Sequence, residues 1–277
     1  MNRNITICAT DLTVITGHNP YKDLDEIRLK FWKRYFRDDY ERVVNKLKNA
    51  NVEMKREESD FDTIKRLAKE NNLNINFSNC LKSDNVSELQ KVKSQVMEKV
   101  GKTMNKEKKK EFEKSFNSFT NTNFGIKYEN KAGDLYEKKT GCKIIKTNKY
   151  HKLELFIIPN EMRMNDIWSI GGKIDGILLP ENKIIEIKNR VNNLFYKLRN
   201  YEKVQCYVYM FLLESFETDL IEVLKKPGDN SMNIINIKFD DKFWEKEIMY
   251  NLEVFINDFY DFLENDKRKI SLLKNSE

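Results

Sequence analysis

The sequence contains few of the residues that break secondary structure. Its 277 residues include only 9 Gly and 4 Pro, and these do not cluster into a linker between independent domains. A chain of this length in which 40% of the residues are hydrophobic buries one substantial core. We therefore expect one enzyme-sized domain, with any additional segment inserted into it.

Cysteine and histidine are also scarce. The four cysteines are scattered without close pairs, so they indicate neither a zinc ribbon nor a disulfide framework, and they argue against an iron–sulfur nuclease. They are Cys8, Cys80, Cys142 and Cys206. The only histidines, His18 and His151, have no other ligand-type residues at metal-binding spacing. A histidine–metal nuclease or a Ser–His hydrolase is therefore disfavoured.

The sequence lacks a long hydrophobic run. The longest one, Tyr207–Leu213, is far too short to cross a bilayer, and no apolar stretch follows the first residues as it would in a secretory signal. We therefore expect a soluble, intracellular protein that has no membrane partner.

Positive charge is in mild excess. The sequence has 50 Lys and Arg residues and 44 Asp and Glu residues, which gives a net charge of +6. By itself this charge favours polyanionic partners only weakly. Lysines are dense between Lys99 and Lys114, but glutamates are interleaved with them. Such a mixture is more typical of a solvated helix face, with contact to a DNA backbone as the alternative.

Hydrophobic spacing divides the chain into two parts. Between about Asp25 and Phe119 apolar residues recur at three- and four-residue steps, which predicts successive helices. After a helix from Tyr128 to Lys139, short β-rich segments alternate with helices, which predicts a mixed sheet flanked by helices. We therefore predict an α/β core that carries an inserted helical region. The strands are expected at Lys143–Thr147, Leu153–Ile158, Lys173–Leu179, Lys183–Lys188, Asp219–Leu224 and Asn233–Phe239, and the later helices at Arg199–Glu214 and Lys242–Leu263.

The most informative pattern is an aspartate that precedes a Glu-x-Lys tripeptide. Asp175 and Glu186 lie on two segments that are joined by a turn at residues 180–182, so the segments should pair as a hairpin and bring both carboxylates together. Period-two alternation places Glu186 and Lys188 on one face, and the backbone carbonyl of Ile187 can turn toward the same point.

This arrangement suits phosphodiester hydrolysis. The reaction needs a nucleophilic water and charge compensation, which Mg²⁺ held by carboxylates supplies, and Mn²⁺ can substitute. In this interpretation Asp175, Glu186 and the Ile187 carbonyl bind the metal, and Lys188 orients the water. The pattern alone is weak, because a solvated β-hairpin can carry the same residues.

Further segments resemble the YqaJ-like viral recombinase family, which includes phage lambda exonuclease and belongs to the PD-(D/E)XK nuclease superfamily. Gly125–Asn130 matches the family's helical motif G-x-x-Y-E-N. The resemblance implies that Glu129 is catalytic and binds the metal, directly or through water. Val204-Gln205 is similar to the family's Q-V-Q helix, which implies that Gln205 completes the active site.

The N-terminal region carries a second resemblance. Thr10-Asp11-Leu12 followed by residues 16–21 is similar to the family's opening S-D-h-x-x-h-h-G-x-N-P-y. The resemblance implies that Arg3 and Thr10 bind the 5′-phosphate of DNA. A hydroxyl at this position is also an ordinary helix N-cap, so capping is the alternative for Thr10. The resemblance covers residues 1–30 and 120–215. It therefore implies a nuclease core formed by residues 1–34 and 119–277, with residues 35–118 as the helical insertion.

The resemblance implies a PD-(D/E)XK core and a Mg²⁺-dependent exonuclease that degrades linear double-stranded DNA 5′→3′ and resects ends for recombination or repair. It implies DNA ends as partners, together with a single-strand annealing protein or other copies of this chain. A viral origin would place the protein in the host cytoplasm or at a viral replication site. The alternatives are an endonuclease of the same superfamily and an inactive DNA-binding adaptor of a recombination complex.

Overall fold

The computed structural model describes residues 2–54, 58–75, 82, 86–147, 149–159, 165–226 and 229–274, so Cys80 and part of the predicted insertion lie outside it. The helices are α1 (Ala9–Ile15), α2 (Leu24–Tyr35), α3 (Arg37–Asn49), α4 (Asp60–Glu70), α5 (Val86–Thr103), α6 (Lys106–Thr140), α7 (Asn200–Leu212), α8 (Asp241–Phe243), α9 (Tyr250–Glu264) and α10 (Asp266–Leu273), with a π-helical turn at Trp244–Met249. The strands are β1 (Arg3–Cys8), β2 (Tyr150–Pro159), β3 (Asn165–Lys173), β4 (Gly176–Leu178), β5 (Lys183–Arg190), β6 (Glu217–Lys226) and β7 (Asp229–Lys238).

Polar side chains cap the start of several helices. The side-chain oxygen of Asn105 accepts a hydrogen bond from the amide of Lys108 at 2.9 Å, and Ser59 caps α4 in the same way through the amide of Asp62. Helix α6 ends at Gly141, which adopts the left-handed conformation with φ of +75°. The helix that was predicted to start at Tyr128 is therefore the last part of a 35-residue helix that starts at Lys106.

The strands form two mixed sheets. The first has the order β1-β3-β2, and the second has the order β4-β5-β6-β7. In the second sheet β4 and β5 pair antiparallel, and β5 and β6 pair parallel. The α/β class is confirmed, but the prediction of one sheet is wrong, because the chain leaves the first sheet at Lys173 and enters the second at Gly176. The predicted strand at Lys143–Thr147 is reduced to a single bridge between Ile145 and Ile177.

Buried side chains form a main core between the first sheet and the helices on its flank. Trp168 and Ile170 of β3 pack there with Phe31 of α2 and with Phe255 and Phe259 of α9, all of them at most 3% exposed. A second cluster lies among α4, α5 and α6 and is formed by apolar side chains at helical spacing, among them Ile64, Leu67, Leu89, Val100, Phe112 and Phe116. This second cluster holds α6 in place, and α6 in turn approaches β5 of the second sheet.

Most of the described residues of the predicted insertion are helical, but the structure shows no break at either of its predicted boundaries. Helix α3 buries Val43 and Leu47 in the main core, and α6 continues without interruption across residues 118 and 119. The division into a core and an insertion therefore stays a prediction. Within the described residues, no helix combines the length and apolar character that crossing a bilayer requires.

A buried lysine links α3 to the C-terminal helices and gives a pH-dependent prediction. Lys269 is 2% exposed and pairs with Asp39 at 2.8 Å and with Asp266 at 3.4 Å, and Arg42 contacts both aspartates. Hydrogen bonds from Arg42, followed by those from Lys269, hold the pKa of Asp266 below its usual range despite partial burial. A lowered pKa stabilises the fold above the unfolded-state pKa of about 3.9, and this contribution is lost as the pH falls through the folded-state pKa.

We therefore expect the free energy of unfolding of the Asp266→Asn protein to be lower than that of the unchanged protein at pH 7, and to fall less steeply below pH 4. Urea unfolding between pH 7 and pH 2.5 measures both quantities. Asp261→Asn, at an exposed position of α9, serves as the control and should follow the unchanged protein. Parallel pH profiles for the Asp266→Asn protein and the unchanged protein would contradict the assignment.

Candidate active site

Asp175 lies in the short break between the two sheets. The chain leaves β3 at Lys173 and begins β4 at Gly176, and β4 pairs with β5 so that Gly176 is opposite Ile185. The hairpin predicted from the sequence is therefore present. The Asp175 carboxylate accepts a hydrogen bond from the backbone amide of Ile187 at 2.7 Å. This bond fixes the aspartate beside the end of β5.

Glu186 and Lys188 lie on the same face of β5 and interact directly. The Lys188 ammonium donates to one oxygen of Glu186 at 2.6 Å and to the side-chain oxygen of Gln205 at 2.9 Å. Gln205, on α7, donates its amide to the same Glu186 oxygen at 2.9 Å and to the Tyr209 hydroxyl at 2.8 Å. Glu186 is 3% exposed, and its second oxygen, Oε2, is buried without a hydrogen-bond partner.

Glu129 joins these residues from α6. It lines a cleft of about 450 Å³ together with Asp175, Glu186, Ile187 and Lys188. Burial, the charge of Glu186 and a hydrogen bond to Glu129 together raise the pKa of Asp175 far above its usual range. The structure therefore brings three carboxyl groups from three different elements into one cleft, where they repel one another.

Lys188 brings a positive charge against this cluster. Burial by itself would lower the pKa of Lys188, but the charge of Glu186 and its hydrogen bond outweigh burial and raise that pKa. The lysine therefore stays protonated at neutral pH. A protonated lysine that is held by two partners can offset negative charge and hydrogen-bond a substrate oxygen.

The donor chemistry of the cleft fits a hard divalent cation. The unpartnered Oε2 of Glu186 is buried beside Asp175, and carboxylate oxygens are the ligands that Mg²⁺ prefers. The amide of Ile187 points toward Asp175, and because the amide and carbonyl of one strand residue face the same edge, the Ile187 carbonyl points there as well. These oxygens come from the residues that the sequence pattern singled out.

The side chains alone do not form a complete ligand set. Among the described residues, no three side chains of His, Cys, Asp or Glu are arranged to hold a metal ion. Two of the available oxygens are already engaged, since Lys188 takes one Glu186 oxygen and the Ile187 amide takes one Asp175 oxygen. A bound cation would therefore also need the Ile187 carbonyl and water, and Mg²⁺ commonly keeps several waters.

Tyr209 is a site residue that the sequence analysis missed. Its hydroxyl accepts the hydrogen bond that orients the Gln205 amide, and burial followed by the charge of Glu186 raises its pKa, so it stays neutral. Tyr209 packs tightly on β3 because Gly172 leaves room for it: a Cβ at Gly172 would lie 2.5 Å from the Tyr209 ring. The Gly171-Gly172 pair in the sequence was the only signal for this contact.

A second feature that the sequence analysis missed is a buried charge network next to the cleft. Arg190 lines the cleft and contacts Glu202 of α7 at 2.8 Å and Glu222 of β6 at 2.7 Å, and both glutamates are at most 1% exposed. Glu222 also accepts hydrogen bonds from the backbone amides of Phe195 and Tyr196. The network therefore ties β5, α7 and the connection between them into one rigid unit behind Lys188.

Removing Glu222 should be strongly destabilising. The Glu222→Ala change would leave Arg190 short of one partner and would orphan the amides of Phe195 and Tyr196, and breaking a buried ion pair costs about 3–5 kcal/mol. Urea denaturation measures this loss. Glu217→Ala, at a more exposed position of the same strand, is the control and should change the free energy of unfolding much less. Equal losses in the two variants would contradict the proposed importance of the network.

The two residues predicted to bind a 5′-phosphate lie far apart. Arg3 begins β1 and Thr10 follows the end of that strand, which spans about 16 Å at about 3.3 Å per residue. The Arg3 guanidinium contacts Asp166 at 3.2 Å and stacks on the ring of Phe36 at 4.0 Å. Cys8 opposes Gly171, so Thr10, rather than Arg3, lies at the end of the sheet that holds Asp175.

Thr10 is exposed in the first turn of α1. The N-cap position of that helix is occupied by Cys8, so the alternative in which Thr10 caps the helix is wrong. The structure does not place Arg3 and Thr10 side by side, and their role in phosphate binding stays a prediction.

The fold and the cleft together define a mixed α/β protein in which clustered carboxylates face a partly buried lysine. Residues 82–211 match the family model of the YqaJ-like viral recombinase domain. The resemblance to this family that the motifs predicted is therefore confirmed over residues 82–211. The matched residues include Glu129, Asp175, Glu186, Lys188 and Gln205 but neither Arg3 nor Thr10.

Solved structures show a more distant likeness. An alkaline exonuclease from Laribacter hongkongensis is 16% identical, with 75% of this chain and 92% of that chain covered and a TM-score of 0.38. A phage related exonuclease from Haemophilus somnus 129PT is 15% identical, with 52% of this chain and 71% of that chain covered and a TM-score of 0.38. No curated protein matches the chain significantly. Conclusions about chemistry therefore rest on this chain's own residues.

Proposed function

We propose that this protein is a divalent-metal-dependent DNA exonuclease that acts on the ends of linear double-stranded DNA, degrades it 5′→3′ and resects ends for recombination or repair. The observation that carries the proposal is the cleft in which Glu129, Asp175 and Glu186 face Lys188. The match to the YqaJ-like family model, which spans these residues, supports DNA as the substrate. The polarity of degradation follows only from the family resemblance.

Each residue of the cleft has a role in this proposal. Mg²⁺ or Mn²⁺, when bound, would supply the charge that activates a water and offsets negative charge on the phosphate. Asp175 and Glu186 would hold the ion together with the Ile187 carbonyl, and Glu129 would bind it directly or through water. Because the ion balances the mutual repulsion of the carboxyl groups, all three can be ionised once it is bound.

Lys188 and Gln205 would act on the substrate side. The Lys188 ammonium is held between Glu186 and Gln205, so it is oriented before the substrate arrives. From this position it would hydrogen-bond the attacking water and offset the charge that develops on the phosphate in the transition state. Gln205 is itself oriented by Tyr209, so it acts as the residue that positions Lys188 and Glu186.

Digestion of a linear duplex that is labelled at one end tests substrate and polarity together. One substrate carries the label at its 5′ terminus, a second carries it at the 3′ terminus, and a covalently closed circular duplex is the control. We expect labelled mononucleotides to appear first from the 5′-labelled substrate, while the circle stays intact.

The other outcomes distinguish the alternatives. Cleavage of the closed circle would identify an endonuclease of the same superfamily and contradict the proposed end dependence. Early release from the 3′-labelled substrate would reverse the proposed polarity. Binding of the linear duplex without any cleavage, with Mg²⁺ or with Mn²⁺, would favour a DNA-binding adaptor instead of an enzyme.

A further inference from the structure

A second cavity opens directly beside the carboxylate cleft. It has a volume of about 470 Å³ and lies among α5, α6 and the segment that follows β5. Asn121 lines both cavities, and the chain runs from Asn189 and Arg190 in the cleft to Val191 and Asn192 in the second cavity. The two cavities are therefore neighbouring parts of one surface, and we call the second one the amide groove.

The chemistry of the amide groove differs from that of the cleft. Three of the residues that line the cleft are acidic, whereas none of those that line the amide groove is. Four side-chain amides line the groove, together with the Ser94 hydroxyl, the Lys93 ammonium and two apolar side chains. Amide, hydroxyl and ammonium groups all donate hydrogen bonds, and these are the groups that proteins use to contact DNA phosphates.

The polar side chains are also pre-arranged. The Gln90 amide donates to the carbonyl of Val191 at 3.1 Å, and the Lys93 ammonium donates to the side-chain oxygen of Asn121 at 3.1 Å. These bonds connect α5 to α6 and to the end of β5, so the groove has fixed walls. A groove whose walls are already tied together loses little conformational freedom when a ligand binds.

The dimensions suit a short stretch of one DNA strand. Asn117, Asn121 and Glu129 lie on the same helix, and Asn117 precedes Glu129 by about 18 Å at about 1.5 Å per residue. One strand of B-form DNA advances about 3.4 Å per phosphate, so this length corresponds to about five nucleotides. A strand whose scissile phosphate is in the carboxylate cleft would therefore reach across the whole amide groove.

The lysine-rich stretch identified in the sequence is a weaker candidate for this role. Lys106 lies about 35 Å before Glu129 on α6, at about 1.5 Å per residue. Lys108 pairs with Glu70 of α4 at 2.9 Å. This stretch is far from the carboxylate cleft, and its positive charge is partly neutralised. The amide groove, in contrast, is adjacent to the cleft.

We propose that the amide groove binds the phosphodiester backbone of the DNA strand that continues from the phosphate in the carboxylate cleft. The inference rests on the proposed function, because it names the path of that function's substrate. Ser94 and Asn117 are backbone contacts in this proposal. They are not catalytic residues, because they lie outside the carboxylate cleft.

Added negative charge in the groove tests the proposal. The groove variant carries Ser94→Asp and Asn117→Asp, and the matched control carries Gln95→Glu and Ser118→Asp, which add the same charge one residue further along the same helices and outside the groove lining. Affinity for a 20-base-pair duplex is measured by fluorescence anisotropy in EDTA, so that turnover does not interfere. Thermal unfolding of each variant confirms that it is folded.

We expect the groove variant to bind at least about tenfold more weakly than the unchanged protein at about 50 mM salt, and the control variant to differ by less than about threefold. The difference between the two variants should shrink at about 0.5 M salt, because salt screens exposed charges. Equal weakening in both variants would overturn the proposal.

A second pair of variants covers the case in which the groove variant does not fold. Ser94→Lys adds a donor at an exposed position of the groove and should tighten binding several-fold, whereas Gln95→Lys should tighten it less. An equal gain in the two lysine variants would also overturn the proposal.

Cleavage of end-labelled duplex in Mg²⁺ is measured in parallel with binding. If the unchanged protein does not cleave, the proposed nuclease activity fails, while the contrast in binding still decides the role of the groove. If it cleaves and the contrast in binding is absent, the groove assignment alone fails.

Discussion

The Asp175→Ala protein is expected to lose all measurable cleavage of linear duplex DNA while still binding that DNA. Asp175 is one of two carboxylates that would hold the cation, and Mg²⁺ gives up its hydration shell only for several anionic oxygens. The loss should therefore appear in kcat rather than in DNA affinity. Initial rates in Mg²⁺ and anisotropy in EDTA measure these two quantities separately.

Two further variants make this test specific. Asp175→Asn keeps the shape of the side chain. If the Asp175→Asn protein is as inactive as the Asp175→Ala protein, the loss of activity is due to the missing charge and not to altered packing. Asp261→Ala, at an exposed position of α9, should keep full activity. Full nuclease activity in the Asp175→Ala protein would contradict the assignment of the cleft.

The stability of the same variants gives an independent readout. Burial, the charge of Glu186 and the hydrogen bond to Glu129 raise the pKa of Asp175, which means that ionised Asp175 destabilises the metal-free fold. We therefore expect the Asp175→Asn protein to be more stable than the unchanged protein in EDTA at neutral pH. Added Mg²⁺ should raise the Tm of the unchanged protein but not that of the Asp175→Asn protein.

The Lys188→Ala protein is expected to turn over at least about a hundredfold more slowly than the unchanged protein, while the cation still binds. A single oriented donor to the transition state contributes an effect of this size. Lys188 also neutralises buried Glu186, so the variant should be less stable in EDTA, and added Mg²⁺ should restore part of that loss because the ion supplies the missing positive charge.

Lys183→Ala is the matched control for this effect. Lys183 lies on the same strand, is 24% exposed compared with 23% for Lys188, and pairs with Glu217 at 3.4 Å. The Lys183→Ala protein should keep its activity, because Lys183 lies at the other end of β5 from Lys188. An unchanged rate in the Lys188→Ala protein would reduce Lys188 to a structural partner of Glu186.

Much of the site could be predicted from sequence because its geometry is local. The turn at residues 180–182 sets the register of the β4–β5 hairpin, and that register alone brings Asp175 next to the Glu186 strand. Strand alternation then places Lys188 beside Glu186. Two further site residues, Glu129 and Gln205, were predicted only through the family resemblance, and Tyr209 was not predicted.

Other features depend on tertiary packing and could not be predicted in this way. Arg190 meets Glu202 and Glu222 only because β6 pairs with β5 in the sheet and α7 packs nearby, and no local pattern specifies these contacts. A weak signal was present, because Glu202 lies one helical turn before Gln205 within an apolar helix. A buried acid in such a helix requires a buried cation.

The spacing of Arg3 and Thr10 shows why a motif separation is ambiguous when the secondary structure between its residues is unknown. Seven residues extend about 10 Å in a helix but about 23 Å in a strand. Here most of the intervening residues form β1, so the two side chains are held apart. The same spacing would have brought them close together in a helix.

The central claim is that the carboxylate cleft hydrolyses DNA with the help of a divalent cation, and chelation tests it most directly. The protein is treated with EDTA and incubated with an end-labelled linear duplex, first without added metal and then with Mg²⁺ or Mn²⁺ in excess over the chelator. We predict no product in EDTA and full recovery of mononucleotide release when either metal is added. Undiminished digestion in EDTA would contradict the claim.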